Sequence, residues 1–312
     1  MVKKIGIIGF SEGNGHPYSF SAIFNGYQSD LIRAANWPVI ADYLDKKDKA
    51  DFGISSYHIS HVWSQDHHES IKIQKACYIE YVSKSLDEMC RDVDVVIIAR
   101  DDVESHYELA KSFLESKKSV FIDKPLTLSL EHLSFFEPYL KSGQLMSCSS
   151  LRYAKELDDL KLQLQKKELG KIHLIKGTVI GSWEKYGIHL LEAIQEIIPF
   201  TVEAITEHKL SNKDHRSFIL ECDKDLIITI DVLEKTTKIF QLDFHGEKGH
   251  FTCNISDNFS SFKRTLTRFV KQFETNIPQI SPLQTIHLMK ILIAGNLSRQ
   301  NSRRIPISEI NS

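Results

Sequence analysis

Short, nearly unbroken apolar runs alternate with mixed stretches along the first 125 residues. Ile5 to Phe10 (IGIIGF), Tyr57 to Ser64 (YHISHVWS), Asp94 to Ala99 (DVVIIA) and Ser119 to Ile122 (SVFI) are brief and bounded by polar or glycine-rich segments. Runs of this kind suit parallel strands covered on both faces. Between them the periodicity changes. His67 to Tyr78 predicts a helix with Asp66 before it, and Val103 to Lys117 predicts one with Tyr107, Ala110, Phe113 and Leu114 on a single face. Ser21 to Ala35 is mixed and predicts a further helix. Strands alternating with helices imply a doubly wound parallel sheet, whose ligands sit at the C-terminal strand ends. Gly9 to Gly15, Ser64 to Asp66, Arg100 to Asp102 and Asp123 to Pro125 fall at those ends.

The second half has another rhythm. Ile172 to Ile180, Phe218 to Glu221, Leu226 to Leu233, Lys238 to Phe244 and Gly249 to Cys253 read as closely spaced strands, with turn signals such as His245-Gly246-Glu247. Close spacing points to a largely antiparallel sheet. Gly187 to Ile198 predicts a helix stopped by Pro199, and Pro282 to Ser298 a late helix. The expected organisation is α/β over residues 1–125, with an insertion at about 16–55, and α+β over residues 126–312.

Composition narrows the function. The 312 residues carry 39 Lys and Arg against 41 Asp and Glu, hence a net charge of −2. That balance argues against nucleic acid or an anionic membrane as partner. No apolar run approaches the roughly 18 residues of a membrane span, and Ile5 to Phe10 is short for a signal segment, so a cytoplasmic location is expected. Five scattered cysteines include no CxxC pair and read as buried thiols. His58 and His61 lie three apart in a strand, His67 and His68 are adjacent on a helix, and no cysteine or carboxylate set completes them, so no metal is expected.

The loop Gly9-Phe10-Ser11-Glu12-Gly13-Asn14-Gly15 follows a strand, as a dinucleotide-binding turn does. There, glycines let backbone N–H groups approach a pyrophosphate. It is not a clean GxGxxG: Ser11 stands at the second glycine, and Glu12 brings a carboxylate. At the second strand end, Ser64, Gln65 and Asp66 stand where the adenosine ribose is read. Asp66 is either that contact or a helix cap, and NAD and NADP are not distinguished. Lys124, between Asp123 and Pro125, has a fixed direction at a strand end, where an ammonium can bind a substrate hydroxyl and steady alkoxide charge.

Together these features resemble the Gfo/Idh/MocA oxidoreductases, the family of glucose–fructose oxidoreductase and inositol dehydrogenase. The resemblance rests on Asp123-Lys124-Pro125, DVVIIA with His106 after it, Leu151-Arg152-Tyr153, and His189 within Lys185-Tyr186-Gly187-Ile188-His189-Leu190-Leu191-Glu192. It implies an N-terminal Rossmann domain and a C-terminal domain with a large, mostly antiparallel open sheet, used for substrate binding and subunit pairing. The implied activity is hydride transfer between NAD or NADP and a sugar, polyol or nucleotide-linked sugar. Lys124 would position the hydroxyl and His189 would serve as acid/base, histidine titrating near neutrality. Arg152 and Tyr153 would meet substrate, and a homodimer or homotetramer is implied.

Departures keep other readings open. Lys185 stands where many members have an aspartate, so that either Tyr186 relays a proton or Lys185 grips an anionic substrate. Arg100 and Asp102 replace a Thr-Pro and are either an internal ion pair or substrate contacts. The aromatic insertion, with Tyr18 as substrate-lining candidate, is either a sugar pocket or a small satellite core. A non-catalytic dinucleotide or sugar sensor, and an NAD-dependent glycosidase, are the alternative functions.

Overall fold

The computed structural model describes residues 4–209 and 214–310. The chain forms two compact units, neither of them one continuous stretch. Unit 1 takes residues up to Thr127, then Phe135–Cys148 and Asn258–Pro282; unit 2 takes Leu128–Ser134, Ser149–Asp257 and the chain from Leu283.

Unit 1 is built on β1 (Lys4–Ile8), β2 (His58–Trp63), β3 (Tyr81–Val82), β4 (Val95–Ile98), β5 (Ser119–Ile122) and β6 (Leu145–Ser147). All pairings are parallel, in the order β3-β2-β1-β4-β5-β6. The order turns back between β1 and β4, which makes their C-terminal ends the ligand-accepting crevice of such sheets. Ile5, Ile7, Ile8, Ile97, Ile98 and Ile122 are fully buried, as two covered faces require.

The helices in chain order are α1 (His16–Asn25), α2 (Ser29–Ala34), α3 (Pro38–Leu44), α4 (His67–Ala76), α5 (Leu86–Asp92), α6 (His106–Glu115), α7 (Leu130–Lys141), α8 (Asp158–Gln165), α9 (Ile188–Ile197), α10 (Asn258–Thr275) and α11 (Pro282–Asn301). The helix expected over Ser21 to Ala35 is two helices. Gly26, at φ 81°, closes α1 by giving its N–H to the Ala22 carbonyl at 2.8 Å. Helix α10 was not predicted. Its apolar positions Phe259, Phe262, Leu266, Phe269 and Val270 recur at helical spacing and are buried. They seat α10 in unit 1, with Phe262 edge-on to Phe20 at 5.1 Å and Phe269 against Phe121 at 5.4 Å.

Unit 2 carries β7 (Ile172–Ile180), β8 (Val202–Lys209), β9 (His215–Cys222), β10 (Ile227–Leu233), β11 (Phe240–Gly246), β12 (His250–Asn254) and β13 (Ile305–Pro306). Their order is β12-β11-β7-β10-β9-β8-β13, antiparallel except for β10 with β7. Burial alternates along β9, β10 and β11, so Phe218, Leu220, Ile228, Ile230, Leu242 and Phe244 form one apolar face. Among the described residues no helix is long and apolar enough to cross a membrane.

Candidate functional site

In unit 1 the loop after β1 delivers the chain to α1. Gly15 caps this helix without a side-chain bond, and the first turn holds no acid. Asn14 Oδ1 takes the His16 N–H at 2.8 Å, while its Nδ2 is buried with no hydrogen-bond partner. Gly13 has φ 77°, and a Cβ there would meet open space. Asn14 takes the first N–H of α1, Pro17 brings none and Tyr18 gives its own to the Gly15 carbonyl at 3.1 Å, so it is the unpaired buried amide N–H of Asn14 and the open Gly13 that favour an incoming anion. Glu12 is exposed.

The neighbouring strand ends are tied to this loop. Ser11 Oγ donates to Asp101 Oδ1 at 2.8 Å and accepts the Asp101 N–H at 3.3 Å. Gln65 Nε2 donates to the Phe10 carbonyl at 2.6 Å, and Arg100 Nη1 donates to Gln65 Oε1 at 2.6 Å. Arg100 also grips Asp102 through Nε at 2.8 Å and Nη2 at 2.5 Å. Of the two readings of Arg100 and Asp102, the ion pair is present. Burial works to raise the Asp102 carboxyl, but Arg100 holds it below the usual carboxylate range. His106 is fully buried, with Nδ1 at 3.1 Å from the Leu126 carbonyl and Nε2 at 3.0 Å from that of Arg100. Asp66 caps α4, its Oδ1 taking the His68 N–H at 2.9 Å, and Ser64 Oγ donates to the Asp66 carbonyl at 2.6 Å.

Asp123, Lys124 and Pro125 follow β5. Asp123 Oδ1 takes the Lys124 N–H at 2.8 Å, and Oδ2 meets the His16 ring at Nδ1. Burial alone would raise the Asp123 carboxyl, yet the charges of His16 and Lys124 bring it down to about 2.

In unit 2 a wide helical turn, Trp183–Gly187, leads into α9. Its anchor is Trp183, which stacks on Phe218 at 4.0 Å and donates Nε1–H to the Leu292 carbonyl at 3.0 Å. Gly295 is required beneath it, since a Cβ would stand 2.3 Å from the indole nitrogen. This anchor sets His189, second in α9, with Nδ1 at 2.6 Å from Ser149 Oγ. The rings of Tyr186 and Phe240 lie 5.5 and 5.3 Å from it. One turn on, Glu192 takes Arg152 Nη1 at 2.5 Å, and Arg152 Nη2 donates to Gln284 at 2.6 Å. Burial pushes the Glu192 carboxyl up against the opposing pull of Arg152.

Residues 34–137 match the family described as an oxidoreductase family with an NAD-binding Rossmann fold, Gfo/Idh/MocA. Solved structures agree in fold. Scyllo-inositol dehydrogenase from Lactobacillus casei, with bound NAD(H) and scyllo-inositol, aligns at TM-score 0.78 and 15% identity over 99% of this chain and 100% of that one. Myo-inositol 2-dehydrogenase from Lactobacillus plantarum gives 0.78 and 14% over 98% and 99%. A probable dehydrogenase from Thermotoga maritima gives 0.76 and 16% over 99% and 100%. No curated protein matches by sequence.

Gly9 to Gly15, Gln65, Arg100, Asp102 and Asp123 to Pro125 gather at adjoining strand ends of unit 1. Tyr186, His189, Arg152 and Tyr153 gather in unit 2, where Arg152 is spent on Glu192 and Gln284. Lys185 lies in the same wide turn. Tyr18 is the residue of the aromatic insertion named as a substrate-lining candidate. It is fully buried beside Trp37, and Phe20, Ile23, Ile32 and Leu44 are buried with it as a satellite core. The sequence reading missed His16, Ser149, Glu192 and Gln284. Glu192 is three residues after His189 and so signalled by helical spacing; the others pair with residues far off in the chain.

Proposed function

We propose that this chain is an NAD(P)-dependent oxidoreductase that moves hydride between a nicotinamide and the carbinol or ketone of a sugar, polyol or nucleotide-linked sugar. The observation that carries the reading is Lys124, 4% exposed, held at a Rossmann strand end by Asp123, whose carboxylate takes its N–H. The start of α1 fits the dinucleotide: the open Gly13, the unpaired Asn14 Nδ2 and the absence of a capping acid suit a diphosphate. When bound, the cofactor supplies the hydride acceptor or donor. Lys124 gives its ammonium to the reacting oxygen and steadies alkoxide charge. His189, backed by Ser149, exchanges the hydroxyl proton. The inositol substrates of the structural neighbours support a polyol as substrate. A cytoplasmic homodimer or homotetramer completes the reading.

Fluorescence titration with NADH and NADPH, followed by a screen of polyols and nucleotide sugars, tests it. Lys124→Ala should lose about 100-fold or more in turnover while keeping its cofactor affinity. Undiminished turnover in that variant, or no binding of either nucleotide to protein freed of co-purified cofactor, overturns it. One observation favours a sensor instead: Ser11 and Arg100 are committed to Asp101, Asp102 and Gln65. Tight nucleotide binding without turnover of any alcohol tested would select that reading.

A further inference from the structure

Asp123 is 3% exposed and divides its two oxygens between two tasks. Oδ1 anchors the backbone N–H of Lys124 at 2.8 Å, and Oδ2 is held by Nδ1 of His16. His16 is itself fixed. It is the first residue of α1, its ring stacks on Phe20 at 5.2 Å, and it stands edge-on to Phe262 at 5.0 Å. Rings on two sides leave its Nδ1 directed at the carboxylate.

We propose that His16 is a positioning residue for Lys124, acting through Asp123. The inference rests on the reading of Lys124 as the group that meets the substrate hydroxyl. A lysine ammonium ends a chain of four rotatable bonds, so its placement begins with its backbone, and here that backbone is tied to a carboxylate clamped from α1. The clamp has a second effect. Lys124 is close enough for its charge to act on Asp123. A carboxylate released from His16 would turn to that ammonium and draw it off the hydroxyl, whereas His16 occupies the oxygen that would do so. Because α1 also begins at the loop proposed to take the diphosphate, the clamp joins the cofactor seat to the reacting lysine within unit 1.

The test pairs two substitutions. His16→Phe keeps a ring between Phe20 and Phe262 and removes the N–H. His16→Asn returns an N–H near the place of Nδ1. Turnover should fall about 10-fold or more in His16→Phe and recover to within about 3-fold in His16→Asn, with NADH affinity moving less than about 3-fold in either. A second readout needs no turnover: in the NMR spectrum of ring-labelled protein, the His16 signal should shift in Asp123→Asn. Turnover in His16→Phe equal to the parent, while Lys124→Ala is inactive, overturns the clamp and leaves the function standing. Full activity in Lys124→Ala overturns the function. Equal losses of turnover and NADH affinity, unrecovered by His16→Asn, mark a merely structural histidine and also overturn the clamp. If His16→Phe does not fold, His16→Gln decides it on an Asp123→Asn background: no added loss is expected, and a further loss refutes action through Asp123.

Discussion

The Ser149 hydroxyl meets Nδ1 of His189 at 2.6 Å, and the same oxygen accepts the Leu151 N–H at 3.2 Å. A serine oxygen has two lone pairs, so it can take Nδ1–H beside the Leu151 N–H, which leaves Nε2 bare to take a hydroxyl proton, as the acid/base role requires. Ser149→Ala should therefore lower turnover about 10-fold and move the limb of the pH–rate profile that reports His189, and Ser149→Thr should restore both. An unchanged profile in Ser149→Ala would remove Ser149 from the site.

Arg152 and Glu192 form an ion pair with side chains 3% and 1% exposed. Arg152 Nε also meets Glu196 Oε2 at 3.3 Å, so removing Arg152 strands the buried Glu192 charge, at a cost of about 3–5 kcal/mol, whereas removing Glu192 leaves Arg152 with Glu196. Arg152→Met should lower the urea midpoint strongly and Glu192→Leu less so. The double variant should be more stable than Arg152→Met, because the fully buried Glu192 carboxylate is removed with its partner. A midpoint near the parent's in the single variants would show that water reaches the pair.

Stability should fall in acid through Asp123. Its carboxyl is held at about 2 in the folded protein, below the ordinary 3.9 or so of an aspartate. A depressed folded value adds stability that is complete above the unfolded value and is lost as pH falls from about 4 toward 2, here of the order of 2 kcal/mol. Denaturant melts of the parent and Asp123→Asn across that window should converge at the acid end. Parallel curves would show that Asp123 is not the linked group.

Asp66 is the N-cap of α4. Asp66→Ala should cost about 1 kcal/mol of stability and leave NADH affinity unchanged. A marked loss of affinity at unchanged stability would identify Asp66 as a ribose contact instead.

The doubly wound sheet was legible because β1, β4 and β5 are near-continuous apolar runs, and only strands covered on both faces carry such runs. Position along the chain then placed Gly9 to Gly15 and Asp123 to Pro125 at strand ends, since successive strands of a parallel sheet bring their C-termini to one edge. Helix α10 had a readable period but sits far along the sequence, and nothing local says that Phe262 and Phe269 cover Phe20 and Phe121 in unit 1. The aromatic residues around Tyr18 have a composition that suits a pocket and a core equally. Their burial is a property of the folded surroundings, which composition does not carry.

By itself, the sequence determined the alternation of elements, the glycine loop, and the presence of Lys124 and His189, all of which depend on local composition and spacing. The partners of those residues were decided only in the tertiary structure. His16 lies 107 positions from Asp123, and Ser149 lies 40 from His189. A hydrogen bond across such a distance leaves no period or motif in the chain. It exists because the fold brings the first turn of a helix and a distant loop within 3 Å or so of each other, the range in which such bonds form.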